Sequence, residues 1–414
     1  MKCRRCGIVS DRHALRCGKC NAKILKIDGL LVATIGSFMV ICAIIFAYFA
    51  TDVFDANNEN DIVDDYDPAD YDNGIVDNYE RENDDVIDIP ETTADLFAAA
   101  GPGSDIHGAL HRIEYEDNVV YLFGTMHAAA PEWFPLANIV EDAMRRADVF
   151  AFEFDMTLGS VDLEEILAVM DLLNEGMYLP GDQTLAEVIP ADIHASLVEH
   201  IESFNRTYED VRRINPIALA MQLQLEAAAE VFADFGIYYD VQMGVDGYIL
   251  NFAQSHEVPV IGLEPLLQQA KIGFAPSSEI LELAGFDGSL EDIMYDVFSD
   301  EFIPRAEMLE MLREEVPYTY NDYLHNNLED LILGMDVIEE DLENEFIRYT
   351  VEVLMNFRST YYAERIVELL QNTDEPTTYF VAVGISHVIR TGDNLTNIVE
   401  QLQLRGITAI PIYE

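Results

Sequence analysis

The sequence predicts an α/β domain with a central mixed sheet, helices on both faces of that sheet and a large helical insertion, preceded by a small zinc ribbon and one transmembrane helix. Three observations lead to this prediction. Four cysteines and then a long apolar run occupy the first 50 residues. From about residue 105 onward, short β-rich runs alternate with helical patterns. Half of the 414 residues are hydrophobic, which is enough for a sizeable core.

The first element is a pair of Cys-x2-Cys knuckles within residues 1–26. Two such pairs ten residues apart suit four thiolate ligands around a tetrahedral structural Zn²⁺. A redox role for the pairs is weakened because no βαβ pattern surrounds them. The four predicted ligands are Cys3, Cys6, Cys17 and Cys20.

A single membrane-spanning helix is predicted in residues 27–50. Gly29 to Ala50 is a run of 22 residues without a charge, and at 1.5 Å per residue it is long enough to cross about 30 Å of hydrocarbon. A cleavable signal peptide is the rival interpretation, but the run is too long and follows a metal module. Lysines precede the run and aspartates follow it, so we expect the N-terminus in the cytoplasm and the large domain outside the cell membrane.

Residues 51–104 are predicted to be an acidic, disordered linker. Between residues 51 and 100 there are 17 acids and one base, Arg81, with little apolar periodicity. From residue 29 to the end, 75 acids face 15 bases. A surface of that charge repels phosphate backbones, so the sequence argues against nucleic-acid binding by the outer domain. It would attract divalent cations and basic peptides.

Residues 105–414 are predicted to form the α/β domain. Helices are expected at about 136–147, throughout most of 160–235 and 290–372, with Leu219 to Phe232 the clearest, and at 393–405. The expected strands are β-rich or apolar runs bounded by turn residues. They lie at 119–123, 149–152, 258–263, 379–383 and 407–413.

Polar side chains follow four of these strands directly. The first and fourth strands run into matching Gly-x-x-His turns that end in His127 and His387, and the second and third end in Glu153 and Glu264. The carboxyl ends of strands in open α/β sheets are where ligands bind. We therefore expect two imidazoles and two carboxylates to meet at one edge of the sheet.

This set of side chains suits a divalent metal. Two imidazoles with one or two carboxylates can bind Zn²⁺, Mn²⁺ or Co²⁺, and an open coordination position would support hydrolysis. Polar residues at strand ends can also be satisfied structural groups, so that alternative stays open. The sequence contains neither His-Glu-x-x-His nor Gly-x-Ser-x-Gly, which argues against those two classes of hydrolase.

Four ordered motifs resemble the TraB/GumN family over about residues 106–414. The motifs are Tyr121 to His127, Phe152 to Asp155, Gly244 to Asp246 leading to Ile261 to Glu264 and Gln269, and Phe380 to His387. That family is similar to the Tiki metalloproteases and to the erythromycin-esterase and ChaN-like group. The resemblance implies a divalent-metal-dependent protease with His127, His387 and Glu153 at the metal. The sequence departs from the family pattern at Ser359, where asparagine is usual, and within Gly384-Ile385-Ser386-His387.

Two further residues have alternative interpretations. Arg358 could clamp a substrate carboxylate or an oxyanion, or it could pair with a surface acid. Asp246 could cap a helix or support a ligand from behind, and we favour the cap.

The sequence therefore predicts a membrane-anchored, extracytoplasmic, metal-dependent hydrolase, most simply a peptidase acting on an extracellular peptide or protein. Glu153, Glu264 and Arg358 are its expected catalytic residues, with Glu264 as a further ligand or general base. The main rival is a non-catalytic protein that sequesters a peptide or pheromone. A third interpretation makes the outer domain a sensor that signals to the zinc ribbon.

Overall fold

The computed structural model describes residues 106–130, 133–157, 162–189, 191–237, 244–274, 277–297, 305–335, 342–372, 375–389 and 394–412. The predicted zinc ribbon, membrane helix and linker lie outside these residues. Within them, no helix is both long enough and apolar enough to cross a membrane.

A six-stranded mixed sheet forms the centre of the domain. Its strands are β1 (His111–Tyr115), β2 (Asn118–Thr125), β3 (Val149–Phe152), β4 (Val260–Gly262), β5 (Thr378–Gly384) and β6 (Ala409–Pro411). The spatial order is β4-β3-β5-β2-β1-β6. The first four strands in that order run parallel, whereas β1 is antiparallel to both of its neighbours. The predicted mixed sheet is confirmed.

The two central strands, β2 and β5, are buried along almost their whole length. Near-continuous burial is what parallel strands show when both faces of the sheet are covered. It also explains why their sequences read as unbroken apolar runs instead of alternating patterns.

β1 was not predicted from the sequence. It pairs with β2 through a tight hairpin in which Tyr115 faces Asn118. Its sequence, His-Arg-Ile-Glu-Tyr, has a single fully buried position. An antiparallel strand with one solvated face gives too weak an apolar signal over five residues to be recognised.

The helices fall into four groups between and after the strands. Between β2 and β3 lies α1 (Asn138–Arg145). Between β3 and β4 lie α2 (Leu163–Gly176), α3 (Leu185–Val188), α4 (Ala191–Ser203), α5 (Tyr208–Val211), α6 (Pro216–Asp234) and α7 (Val245–Ser255). Between β4 and β5 lie α8 (Leu266–Phe274), α9 (Ser278–Ala284), α10 (Leu290–Asp296), α11 (Arg305–Leu324), α12 (Leu328–Met335), α13 (Glu345–Tyr349), a π-helical segment (Thr350–Phe357) and α14 (Arg358–Gln371). After β5 lie α15 (Ile385–Val388) and α16 (Ile398–Leu404).

One long helical stretch leads towards β5. In it, α13, the π-helical segment and α14 follow one another without a break. π-helical turns are rare in proteins, and those that occur are often found at functional sites. Here the segment ends directly before Arg358 and Ser359, and both of these residues are buried.

Candidate active site

The carboxyl ends of four parallel strands bring the predicted polar residues together. Strands β2 and β5 pair so that Thr125 lies opposite Gly384, which makes the two Gly-x-x-His turns neighbours. Strand β3 lies between β4 and β5, and the peptide N–H of Glu264 donates to the carbonyl of Glu153 over 2.8 Å. The expectation that two histidines and two glutamates share one edge is confirmed.

Glycines allow these turns to pack closely. A Cβ atom at Gly124 would lie 2.3 Å from the side chain of Ile385 in the second turn, and one at Gly244 would lie 2.4 Å from the carbonyl oxygen of His127. Both distances are shorter than carbon atoms tolerate, so any larger residue would push the turns apart. The glycines therefore set the spacing of the site.

His127 is held from behind by Asp246. Its Nδ1 atom lies 2.8 Å from Asp246 Oδ2, and Thr125 Oγ1 donates to the other carboxylate oxygen over 2.6 Å. Burial by itself would lower the pKa of His127, but the charge of Asp246 and its hydrogen bond outweigh burial and raise that pKa. The ring is oriented with Nδ1 towards Asp246 and Nε2 away from it.

The prediction that Asp246 caps a helix is wrong. Gly244 occupies the cap position, and Asp246 lies buried in the first helical turn with its side chain turned to the first strand-end turn. The expectation was wrong because the sequence shows an aspartate near a helix start but not which way its carboxylate points.

His387 is enclosed by α14. Ser359 Oγ lies 2.9 Å from His387 Nδ1, and the Tyr362 ring meets the imidazole edge-on with centroids 5.2 Å apart. Burial lowers the pKa of His387 to about 3. The ring is therefore a neutral imidazole at neutral pH.

Glu153 accepts hydrogen bonds through both carboxylate oxygens. The Gly384 N–H donates to Oε1 over 2.9 Å, while Arg358 Nη2 and Gln269 Nε2 donate to Oε2 over 2.8 and 3.2 Å. Burial alone would raise its pKa, but Arg358 and the two neighbouring histidines hold the pKa of Glu153 at about 2. The residue is ionised at neutral pH.

Arg358 links Glu153 to Glu264. Its Nε and Nη2 atoms donate to Glu264 Oε1 over 3.0 and 2.6 Å, and the Tyr362 hydroxyl donates to the same oxygen over 2.6 Å. Burial raises the pKa of Glu264, and the guanidinium opposes that rise. Arg358 is 4 % exposed, so it pairs with two buried acids and not with a surface acid.

The two histidines present their free edges to one glycine. A Cβ atom at Gly384 would lie 3.3 Å from Glu153 Oε1, 3.8 Å from His387 Cδ2 and 3.9 Å from His127 Nε2. The imidazole edges that Asp246 and Ser359 leave free thus converge beside an ionised carboxylate. The His127 side chain is 12 % exposed and so is the most accessible of the titratable groups in this cluster.

The chemistry of the two histidines fits a divalent metal. Metal-binding histidines commonly use one ring nitrogen as ligand and hydrogen-bond the other, often to a carboxylate. Both rings follow this pattern. Glu153 fits less well, because Gly384, Arg358 and Gln269 already donate to its carboxylate. Among the described residues, no group of three or more His, Cys, Asp or Glu side chains is arranged to hold a metal ion.

Sequence reasoning missed three contributors to this cluster. Thr125 donates to Asp246 behind His127, Ser359 contacts His387 Nδ1, and Tyr362 donates to Glu264. Ser359 and Tyr362 follow Arg358 by one and four residues on α14, and all three are buried. Their spacing from Arg358 is the sequence signal that could have identified them. Thr125 was visible as part of the first Gly-x-x-His turn.

Comparison with known proteins identifies one family. A model described as the TraB/PrgY/gumN family matches residues 109–411. No curated protein and no solved structure matches the chain significantly.

Proposed function

Because the chain belongs to the TraB/PrgY/gumN family, we propose that it is a membrane-anchored, extracytoplasmic, divalent-metal-dependent hydrolase that cleaves a peptide or protein. The family match covers residues 109–411, which include every residue of the active-site cluster described above. The family name alone supports no reaction, so the proposal depends on the geometry of the cluster.

The pairing of His127 with His387 is the observation that carries the proposal. Each ring is anchored through Nδ1, by Asp246 in one case and Ser359 in the other, and the free edges of both lie within 4 Å of the same point at Gly384. A hydroxyl can accept from Nδ1–H, which leaves Nε2 as a ligand atom in both rings.

His127 and His387 would hold the metal. When bound there, a divalent ion polarises a carbonyl group and lowers the pKa of a bound water molecule. Glu153 supplies a negative charge beside the two rings, which favours a cation at this place over an anion. Its role as a third ligand stays a prediction.

Arg358 acts in this proposal as a positioning residue. Its guanidinium is buried and already donates to both Glu153 and Glu264, so it holds the two carboxylates on adjacent strands in fixed relation. This arrangement favours a role in positioning the two carboxylates over the alternative from the sequence, in which Arg358 clamps a substrate carboxylate or an oxyanion. The role of Glu264 as further ligand or general base stays a prediction.

Peptide hydrolysis by the purified full chain tests the proposal. A mixed peptide library is incubated with chain that has been stripped of metal and resupplied with Mn²⁺, Co²⁺ or Zn²⁺, and fragments are detected by mass spectrometry. We expect metal-dependent cleavage that His127→Ala and His387→Ala each abolish. His325→Ala is the matched control, since the His325 ring is exposed and lies 2.9 Å from the carbonyl oxygen of Asn321 on α11.

Two outcomes would contradict hydrolysis at this cluster. Cleavage that survives both active-site substitutions would place the chemistry elsewhere. A peptide that is recovered intact, by mass, from a stable complex would support the sequestering protein instead.

The anchoring part of the proposal is tested by topology. We propose that residues 27–50 cross the membrane, that Cys3, Cys6, Cys17 and Cys20 bind structural zinc in the cytoplasm, and that residues 51–104 extend outside. Protease added to intact cells should remove a C-terminal tag and spare an N-terminal one. The opposite pattern would reverse the orientation, and loss of neither tag would exclude an external domain.

A further inference from the structure

Gln269 has a fixed orientation beside the active-site carboxylate. It lies on α8, five residues after Glu264 in the chain, and is 3 % exposed. Its Nε2 atom donates to Glu153 Oε2 over 3.2 Å. The carbonyl oxygen, Oε1, points away from that contact.

The Gln269 Oε1 atom is buried without a hydrogen-bond partner among the described residues. A buried acceptor that lacks a donor costs about 1–3 kcal/mol. Each such atom calls for an explanation, and Gln269 Oε1 lies in the active-site cluster, where a bound molecule can supply the donor.

We propose that Gln269 Oε1 is a substrate subsite that accepts a hydrogen bond from an amide N–H of the bound peptide. The proposal rests on the proposed function and narrows its substrate class to ligands with an N–H group at this position. An amide oxygen accepts hydrogen bonds and donates none, so Oε1 would repel a substrate carbonyl or carboxylate and favour a neutral donor.

This subsite would make the protein prefer amides to esters. An ester has the same shape as an amide but offers no N–H, so it would leave Oε1 unpaired in the complex. Because Oε1 has no exposed surface in the structure, the ligand reaches it only when neighbouring side chains move aside. A water molecule is the other possible donor, and it would create no such preference.

A pair of small probes separates the two donors. N-methylacetamide and methyl acetate differ in the N–H group, and their binding to the metal-free full chain can be compared by saturation-transfer NMR. We expect N-methylacetamide to bind at least about tenfold more tightly to the unmodified protein. In Gln269→Leu the two probes should bind alike.

Gln268→Leu is the matched control. Gln268 lies next to Gln269 and also donates to a buried carboxylate, Glu264 Oε2, over 3.3 Å. Its carbonyl oxygen is not among the buried unpartnered atoms. We expect this variant to keep the preference for the amide.

Equal binding of the two probes to the unmodified protein would overturn the subsite, whether or not the variants fold. So would a preference that persists in folded Gln269→Leu. Neither measurement needs turnover or metal. The subsite can therefore fail while peptide hydrolysis is found, and it can hold while hydrolysis is not found.

Discussion

Asp246 Oδ2 lies 2.8 Å from His127 Nδ1, although 119 positions separate the two residues in the chain. The contact joins the start of α7 to the turn after β2, and both groups are nearly buried. It fixes which nitrogen of His127 faces Gly384. The orientation of the first histidine thus depends on a carboxylate from a different part of the fold.

Replacing this carboxylate should lower the pKa of His127. In Asp246→Asn the charge that raises the pKa is lost, while burial, which lowers it, remains. A titration of ¹³C-labelled histidine by NMR measures the change directly. An unchanged His127 pKa in the variant would mean that Asp246 does not act on the ring electrostatically.

The same pair predicts a pH-dependent stability. The pKa of His127 in the folded protein lies above its ordinary value of 6.5. The contribution of His127 to the free energy of unfolding is therefore fully present below about pH 6.5 and is lost as the pH rises through the folded pKa. Urea unfolding should show a larger loss of stability for Asp246→Asn at pH 5 than at pH 8.5. A loss of stability that grows as the pH rises would contradict a pKa of His127 that Asp246 raises.

Glu153→Gln should show the opposite dependence on pH. The folded pKa of about 2 lies below the ordinary value of 4.5, so the contribution is present above about pH 4.5 and is lost as the pH falls through 2. Breaking a buried ion pair costs about 3–5 kcal/mol at pH 7. Urea unfolding of the variant and of the unmodified protein at pH 7 and at pH 3 measures the loss of stability at each pH, and we expect the smaller loss at pH 3. Glu368→Gln, which removes an exposed partner of Arg365, should cost at most about 1 kcal/mol.

Arg358→Lys should destabilise the protein although it keeps the charge. Lysine offers one point donor where the guanidinium donates through Nε and Nη2 to carboxylates on two strands. We expect a loss of about 2 kcal/mol or more in the free energy of unfolding. The matched control is Arg145→Lys, because Arg145 is exposed and pairs with the exposed Asp142. It should change the free energy of unfolding by less than about 0.5 kcal/mol, and equal effects of the two substitutions would contradict the role of Arg358.

Gly384→Ala should impair activity more than stability. The backbone at Gly384 suits any residue, with φ of −50°, but the added methyl group would enter the space between the two histidines and Glu153. We expect at least about a tenfold loss in hydrolysis with less than about 2 kcal/mol lost in stability. Gly273→Ala adds the same atom on α8 with nothing within 4 Å and should leave hydrolysis intact.

Ser359→Ala should weaken the proposed metal site. The change removes the hydroxyl that orients His387, and loss of such a contact typically lowers metal affinity about 10–100-fold. The matched control is Ser255→Ala, because Ser255 makes a similar contact with the exposed His256 outside the site. Equal metal affinities of the two variants would show that Ser359 does not position a ligand.

Much of the sheet and the main members of the site could be predicted from the sequence. Buried parallel strands are continuous apolar runs, and a polar residue directly after such a run must lie at its end, as His127, Glu153, Glu264 and His387 do. The order of the strands in space could not be predicted, because it depends on how the long helical segments pack.

The supporting contacts were harder to foresee. Asp246, Ser359 and Tyr362 lie on helices, where the direction of a side chain follows from the face that the helix buries. The π-helical segment before Arg358 shifts that face and has no recognisable sequence pattern. For this reason the sequence indicated Arg358, Glu153 and Glu264 but not the ion pairs that join them.

Binding of Mn²⁺ to the purified full chain, followed by electron paramagnetic resonance, tests the central claim most directly. Mn²⁺ prefers nitrogen and oxygen ligands to thiolates, so the N-terminal cysteines would not obscure the result. The proposal predicts one Mn²⁺ that binds more tightly than the ions attracted to the acidic surface, that is lost in both His127→Ala and His387→Ala, and that is kept in His325→Ala. Equal Mn²⁺ binding by all of these proteins would contradict a metal site at the two histidines.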